Sequence, residues 1–223
     1  MKKILIGGCS FSEYNKDMDY PWISWSRLLS QNDLDITNLS KSSYGQPKIS
    51  ETLTDEILDS ATPYDLVIVQ WSGVTRGYKL VETPSLNDVL ELTKNLNKSH
   101  ADEIVEGIVN LSHQEYIKRS LTQIYLFQNF LEAKKIPYLS FWGWKQITNE
   151  HLKDTTILNL INNIYNDNWI FTEKNNGMTE ECSSSRRLAD FHPTTKCHSN
   201  FYFKKLKPLI ENKINQKLSN NII

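Results

Sequence analysis

Glycine and proline are sparse in this 223-residue chain, at eight and seven residues, and neither gathers into a tract. That excludes a collagen-like or low-complexity architecture and leaves no Pro-, Gly- or Ser-rich linker. An excess of one charge is missing too. Lys and Arg total 25 against 26 Asp and Glu, a net charge of −1, which gives no electrostatic footing for nucleic acid or an anionic membrane as partner. The densest basic cluster, Lys204-Lys205-Leu206-Lys207, falls in a helical pattern and reads as a solvated face. Cysteine is scarce: Cys9, Cys182 and Cys197 are an odd set without framework spacing, a usage that suits a reducing compartment. No stretch approaches the ~20 apolar residues of a membrane span. Lys2-Lys3 followed by "ILIGGC" resembles a lipoprotein leader, but only three apolar residues precede the glycines, against the ~7–15 of a signal-peptide core. The stretch reads as a first strand, and the expectation is a cytoplasmic or otherwise soluble protein.

What is present is an alternation. "KILIG" (3–7), "LDITNL" (34–39), "DLVIVQW" (65–71) and "IPYLSFW" (136–142) are short β-branched or aromatic runs that read as buried strands, with "NWIF" (168–171) a weaker fifth. Amphipathic patterns lie between them. "PWISWSRLLS" has Pro21 at a helix start, and Ile49, Leu53 and Ile57 recur at four-residue steps. Residues 113–134 put Ile117, Leu121, Ile124, Phe127 and Leu131 on one stripe. A last pattern runs through Tyr202, Leu206, Ile210 and Ile214, with Pro208 as a kink point. Strands alternating with helices predict one α/β domain over 1–223, three-layer and flavodoxin-like, with about five parallel strands. Residues 77–112, polar and weakly periodic, read as an insertion or lid, and 173–187 as an irregular loop.

In such a sheet, ligands bind where strands end at their carboxyl edge. After the first strand comes Gly7-Gly8-Cys9-Ser10, and after the second Ser40-Lys41-Ser42-Ser43-Tyr44-Gly45. The third is followed by Ser72-Gly73-Val74-Thr75-Arg76, the fourth by Gly143-Trp144, and "ADFHPTTKCH" (189–198) precedes the last helical pattern. Taken alone, Ser10 also fits an N-cap paired with Glu13, and Asp190-Phe191-His192-Pro193 also fits a turn.

In this block order the chain resembles the SGNH, or GDSL-like, hydrolases. Gly8-Cys9-Ser10 matches the family's Gly-Asp-Ser with Cys9 in the aspartate's place, and Asp190-Phe191-His192-Pro193 looks like its Asp–His block at Asp-x-His spacing. The resemblance implies Ser10 as nucleophile, His192 as base and Asp190 behind it. It also implies an oxyanion hole lined by backbone N–H groups of Ser10 and of Ser43 or Gly45. The family's third block, Gly-x-Asn-Asp, places its asparagine on Val74, which has no side-chain donor. Ser72, Gly73, Thr75, Arg76 or the indole of Trp71 are the groups available in its stead.

The residue types suit the chemistry. A serine hydroxyl needs a base during attack, histidine titrates in the right range, and a carboxylate fixes the imidazole tautomer. His198 is a rival base inside a helical pattern. Cys182, His192, Cys197 and His198 have none of the usual zinc spacings, so neither metal nor another cofactor is expected. "GGCSFS" is too short for a phosphate loop. Trp71, Trp142 and Trp144, at strand ends, suit either the core or an aromatic wall for a sugar ring or acyl chain, and Arg76 suits an anion contact. The resemblance therefore implies a serine esterase acting on an acyl ester, such as acetyl, of a carbohydrate or other small molecule. The alternatives are acyl transfer at the same site and an inactive binding or structural member of the fold. Oligomeric state is not legible.

Overall fold

A computed structural model of the chain describes residues 1–13, 23–74, 113–170, 176–181, 192–215 and 218. The elements in chain order are β1 (Lys2–Gly7), α1 (Trp25–Leu29), β2 (Leu34–Asn38), α2 (Gln46–Asp59), β3 (Leu66–Trp71), α3 (His113–Ala133), β4 (Tyr138–Trp142), α4 (Thr155–Ile164), α5 (Thr195–Phe201) and α6 (Lys207–Ile214). Short 3-10 turns cover His151–Lys153 and Met178–Glu181. The latter falls in the stretch expected as irregular loop. The expected insertion, 77–112, lies outside the described residues.

The sheet has four parallel strands in the order β2-β1-β3-β4. The fifth strand expected at 168–171 is reduced to one parallel bridge, Ser140 to Trp169. Its polar approach explains this: Trp169 N–H closes a turn onto Asn166 C=O at 2.9 Å, and among the described residues the backbone bonds to β4 at Ser140 alone, Phe171 lying outside them.

Alternation along the strands builds two cores. Leu5, Val67, Val69, Trp71, Tyr138 and Trp142 face α2, α3 and α4. Ile4, Ile6, Leu66, Ile68, Leu139 and Phe141 face α1, α5 and α6. Both faces of the sheet are therefore covered, which is why β3 reads as a nearly continuous apolar run. The result is the three-layer α/β fold expected from the alternation.

Local signals set the helix ends. Ser24 caps α1 by accepting from Arg27 N–H, and Thr194 caps α5 through Cys197 N–H; Pro21, expected at a helix start, lies outside the described residues. The last helical pattern is interrupted by a π turn over Tyr202–Leu206, and α6 then begins with Pro208 in its first turn. Proline has no N–H to return to the preceding turn, so the widened turn sits immediately before it. Cys9 is a buried free thiol. Among the described residues no helix is long and apolar enough to cross a membrane.

The order β2-β1-β3-β4 reverses direction between β1 and β3. That is the topological switch point, where the carboxyl ends of adjacent strands open a crevice. Ser10 follows β1, and Gln70 is the last residue but one of β3, at this point.

Candidate active site

The turn that carries Ser10 is built against β3. A Cβ on Gly8 would lie 2.9 Å from Ser12 Oγ and 3.1 Å from the Gln70 carbonyl oxygen, so only glycine lets the chain pass this close. The turn closes by hydrogen bonds from Ser12 N–H (2.9 Å) and Glu13 N–H (3.1 Å) to the Cys9 carbonyl. The N-cap pairing of Ser10 with Glu13 does not form: the Glu13 carboxylate accepts from Ser42 N–H at 2.8 Å. Ser10, 7% exposed, is left with its hydroxyl at the crevice.

Opposite it stands His192, just ahead of Thr194, the cap of α5. His192 Nε2 lies 2.9 Å from Ser10 Oγ. The edge of Phe11 packs on the imidazole, with ring centroids 5.2 Å apart. Asp190 and Arg76 lie outside the described residues. His198, the rival base, is fully buried one helical turn into α5, and its Nδ1 accepts from Trp25 N–H at 3.4 Å. Burial first, and the neighbouring His192 second, push its pKa down to about 3. An enclosed imidazole cannot reach substrate, so His192 is the histidine at the crevice.

The second loop is pinned to the Ser10 turn. Lys41 N–H donates to Gly8 C=O at 3.2 Å, and Asn38 Nδ2 donates to Ser12 C=O at 2.9 Å. Tyr44 N–H returns to Lys41 C=O, with Ser43 at φ 69°, the left-handed region. Gly45 is the N-cap of α2. Among the described residues, the N–H groups of Ser10, Ser43 and Gly45 meet no protein acceptor.

The third loop departs from the hydrolase pattern as its sequence does. Val74 is packed into the core, its N–H donating to Gln146 Oε1 (2.9 Å) and its C=O accepting from Ser120 Oγ (2.7 Å). Trp71 and Trp142 are wholly buried and belong to the α2–α3–α4 core, so they are not the aromatic wall. Trp71 pairs edge-on with Phe127, and Trp142 donates to Tyr165 Oη. Trp144 is different. Half-buried, it lies 5.2 Å from Phe11, and a Cβ on Gly73 would come within 2.9 Å of its indole. Ser72 is buried, its carbonyl held by Gln46 Nε2 at 2.7 Å, and its hydroxyl has no partner among the described residues.

Sequence reasoning passed over Gln70. Its Oε1 accepts from Cys9 N–H (3.3 Å), Cys9 S–H (3.3 Å) and Ser12 O–H (3.1 Å), while its Nε2 donates to the Trp71 carbonyl (2.7 Å). The available signal was a polar residue inside the otherwise apolar "LVIVQW", since a fully buried side chain of that type requires partners. Phe11 and Ser12, which follow β1 in the sequence, were likewise given no role.

No family model matches the chain, and no curated protein matches it. Solved structures do. The psychrotrophic esterase EstA from Pseudoalteromonas sp., in a structure inhibited by monoethylphosphonate, is 14% identical with a TM-score of 0.56, over 97% of this chain and 100% of that one. The acetylxylan esterase Axe2 from Geobacillus stearothermophilus, in a catalytic-mutant structure, is 12% identical with a TM-score of 0.47, over 97% of this chain and 95% of that one. The likeness to EstA runs nearly the whole length of both chains and establishes that the two share this α/β fold.

Proposed function

We propose that this protein is a serine esterase of the SGNH type, and that the contact of His192 Nε2 with Ser10 Oγ at 2.9 Å carries the reading. That distance is within hydrogen-bond reach for general-base catalysis. In the proposed reaction Ser10 Oγ attacks an ester carbonyl as its proton passes to His192 Nε2. A C–O bond forms and the carbonyl electrons move onto oxygen. His192 then returns the proton to the alkoxide leaving group as the ester C–O bond breaks, freeing the alcohol and leaving the acyl group on Ser10. Water, deprotonated by His192, releases the acid and restores Ser10 O–H. Asp190 is the carboxylate that orients His192. The N–H groups of Ser10 and of Ser43 or Gly45 receive the oxyanion.

For the substrate we propose a small acyl ester, acetyl on a carbohydrate in particular. Phe11 packs on His192 and Trp144 packs on Phe11, and the half-buried Trp144 would offer the apolar face for a sugar ring. Acyl transfer to a sugar hydroxyl would use the same groups. Val74 favours a second reading, an inactive member of the fold that binds without turning over, since loss of one oxyanion donor typically costs ~10²–10³ in rate.

Hydrolysis of p-nitrophenyl acetate and of acetylated xylose by wild type, Ser10→Ala and His192→Ala separates these. Turnover that both substitutions abolish supports the esterase. Folded wild-type protein without turnover on either ester supports the binding module.

A further inference from the structure

We propose that Gln70 is the positioning residue of the nucleophile turn, a role that rests on the esterase reading of Ser10. Gln70 lies on β3, across the switch-point crevice and 61 positions from Cys9. Its side chain is wholly buried and its four hydrogen bonds all go to backbone or side chains at the strand tips.

The pattern is specific. Cys9 and Ser12 bracket Ser10 and Phe11, and both are tied to the same amide oxygen. Ser12 is fixed further: its hydroxyl accepts from Trp25 Nε1 (3.0 Å), and its carbonyl accepts from Ser26 Oγ (2.8 Å) and Asn38 Nδ2 (2.9 Å). With both flanks held, the backbone of Ser10 has little freedom, and its Oγ stays at His192 Nε2.

The amide itself cannot rotate freely. Nε2 is committed to the Trp71 carbonyl, and β4 closes from the other side, where any Cβ on Gly143 would collide with Gln70 Nε2. Gly143 N–H also donates to that same Trp71 carbonyl at 2.9 Å. The orientation that presents Oε1 to the turn is thus dictated by β3 and β4. A charged carboxylate at this position would set an oxygen against the Trp71 carbonyl, and an apolar side chain would leave Cys9 N–H without an acceptor. Glutamine satisfies both sides at once.

Gln70 has no route to substrate, so its loss should lower the rate of attack and leave binding alone. Gln70→Met keeps the length and removes the acceptor. Gln70→Glu, as a protonated acid, restores both an acceptor and a donor. Ser12→Ala removes one of the three donors and keeps the fold if Gln70→Met does not fold.

The readouts are the rate of fluorophosphonate labelling at Ser10, kcat and KM on p-nitrophenyl acetate, the thermal midpoint, and the reaction of Cys9 with a disulfide thiol reagent mapped by mass spectrometry. Folded Gln70→Met should label and turn over about 10–100-fold more slowly with KM within about two-fold of wild type, the cost of a nucleophile slightly misplaced. Gln70→Glu should recover most of the loss, and Ser12→Ala should fall between wild type and Gln70→Met. Cys9, enclosed in wild type, should react faster in Gln70→Met.

Wild-type rates in folded Gln70→Met, or in Ser12→Ala where that variant alone folds, would overturn the assignment, as would a Gln70→Glu variant no better than Gln70→Met. Absence of Ser10 labelling in wild type would instead overturn the esterase reading. The Cys9 reaction then still tests whether Gln70 holds the turn, with unchanged protection in Gln70→Met counting against it.

Discussion

Nε2 of His192 and Oγ of Ser10 meet at 2.9 Å although 182 positions of chain separate them. Neither residue is brought there by local structure alone. Ser10 sits on a glycine-led turn at the end of β1, and His192 precedes the Thr194 cap of α5, which packs under α1 on one face of the sheet. The pairing is therefore a product of the whole three-layer fold.

If Ser10 and His192 act as a unit, removing either should cost about as much as removing both. Ser10→Ala and His192→Ala are each expected to lower kcat by ~10⁴–10⁶ and the double variant by no more. Asp190→Asn should lower it by about 10⁴. Steady-state kinetics on p-nitrophenyl acetate, with circular dichroism to verify folding, checks this; additive losses would break the unit.

The missing oxyanion donor should not be restorable at Val74. Its side chain lies in the core among the α2–α3–α4 contacts, and both its backbone groups are already bonded. Val74→Asn would bury an amide without partners, lowering stability by about 1–3 kcal/mol with no gain in kcat/KM. Urea unfolding and kinetics on the purified variant decide the matter, and a faster enzyme would show that Val74 does face the oxyanion.

His198 is expected to contribute to the acid limb of stability. Burial, with His192 beside it, lowers its pKa from the ordinary 6.5 to about 3 in the native state. Between those values the unfolded chain binds a proton that the native state does not. Its contribution is therefore neutral above pH 6.5, and stability falls as pH drops toward 3. His198→Gln, which keeps an acceptor for Trp25 N–H, should flatten the unfolding free energy between pH 6.5 and 4 by one proton's slope. An unchanged slope would remove His198 from the cause.

Trp144 is the aromatic residue expected to meet substrate. Trp144→Ala should raise KM for acetylated xylose several-fold more than for p-nitrophenyl acetate, because a sugar ring loses its stacking face. Equal changes for both esters would reduce Trp144 to a scaffold for Phe11 and Gly73.

Much of this was legible in the sequence, and the failures have physical reasons. β1, β3 and β4 announce themselves because a strand buried on both faces must be apolar throughout. Ser10 and His192 were singled out from the turn after β1 and the block before the last helices, and the structure brings the two side chains together. The fifth strand was over-read from "NWIF", where, among the described residues, a polar turn at Asn166 is followed by a single bridge. Trp71 and Trp142 were ambiguous because a tryptophan at a strand end fits core and wall equally well until the helix opposite is placed. Gln70 was missed for the opposite reason: its partners, Cys9 and Ser12, belong to another strand's turn, and one-dimensional reading cannot see across the sheet.

One measurement bears most directly on the Ser10–His192 pair. Purified wild type, Ser10→Ala and His192→Ala would be incubated with a fluorophosphonate probe, and the modified peptide mapped. An activated nucleophile predicts covalent labelling of wild type at Ser10, absent in Ser10→Ala and strongly slowed in His192→Ala. Folded wild-type protein that remains unlabelled, or label that persists in Ser10→Ala, would contradict it.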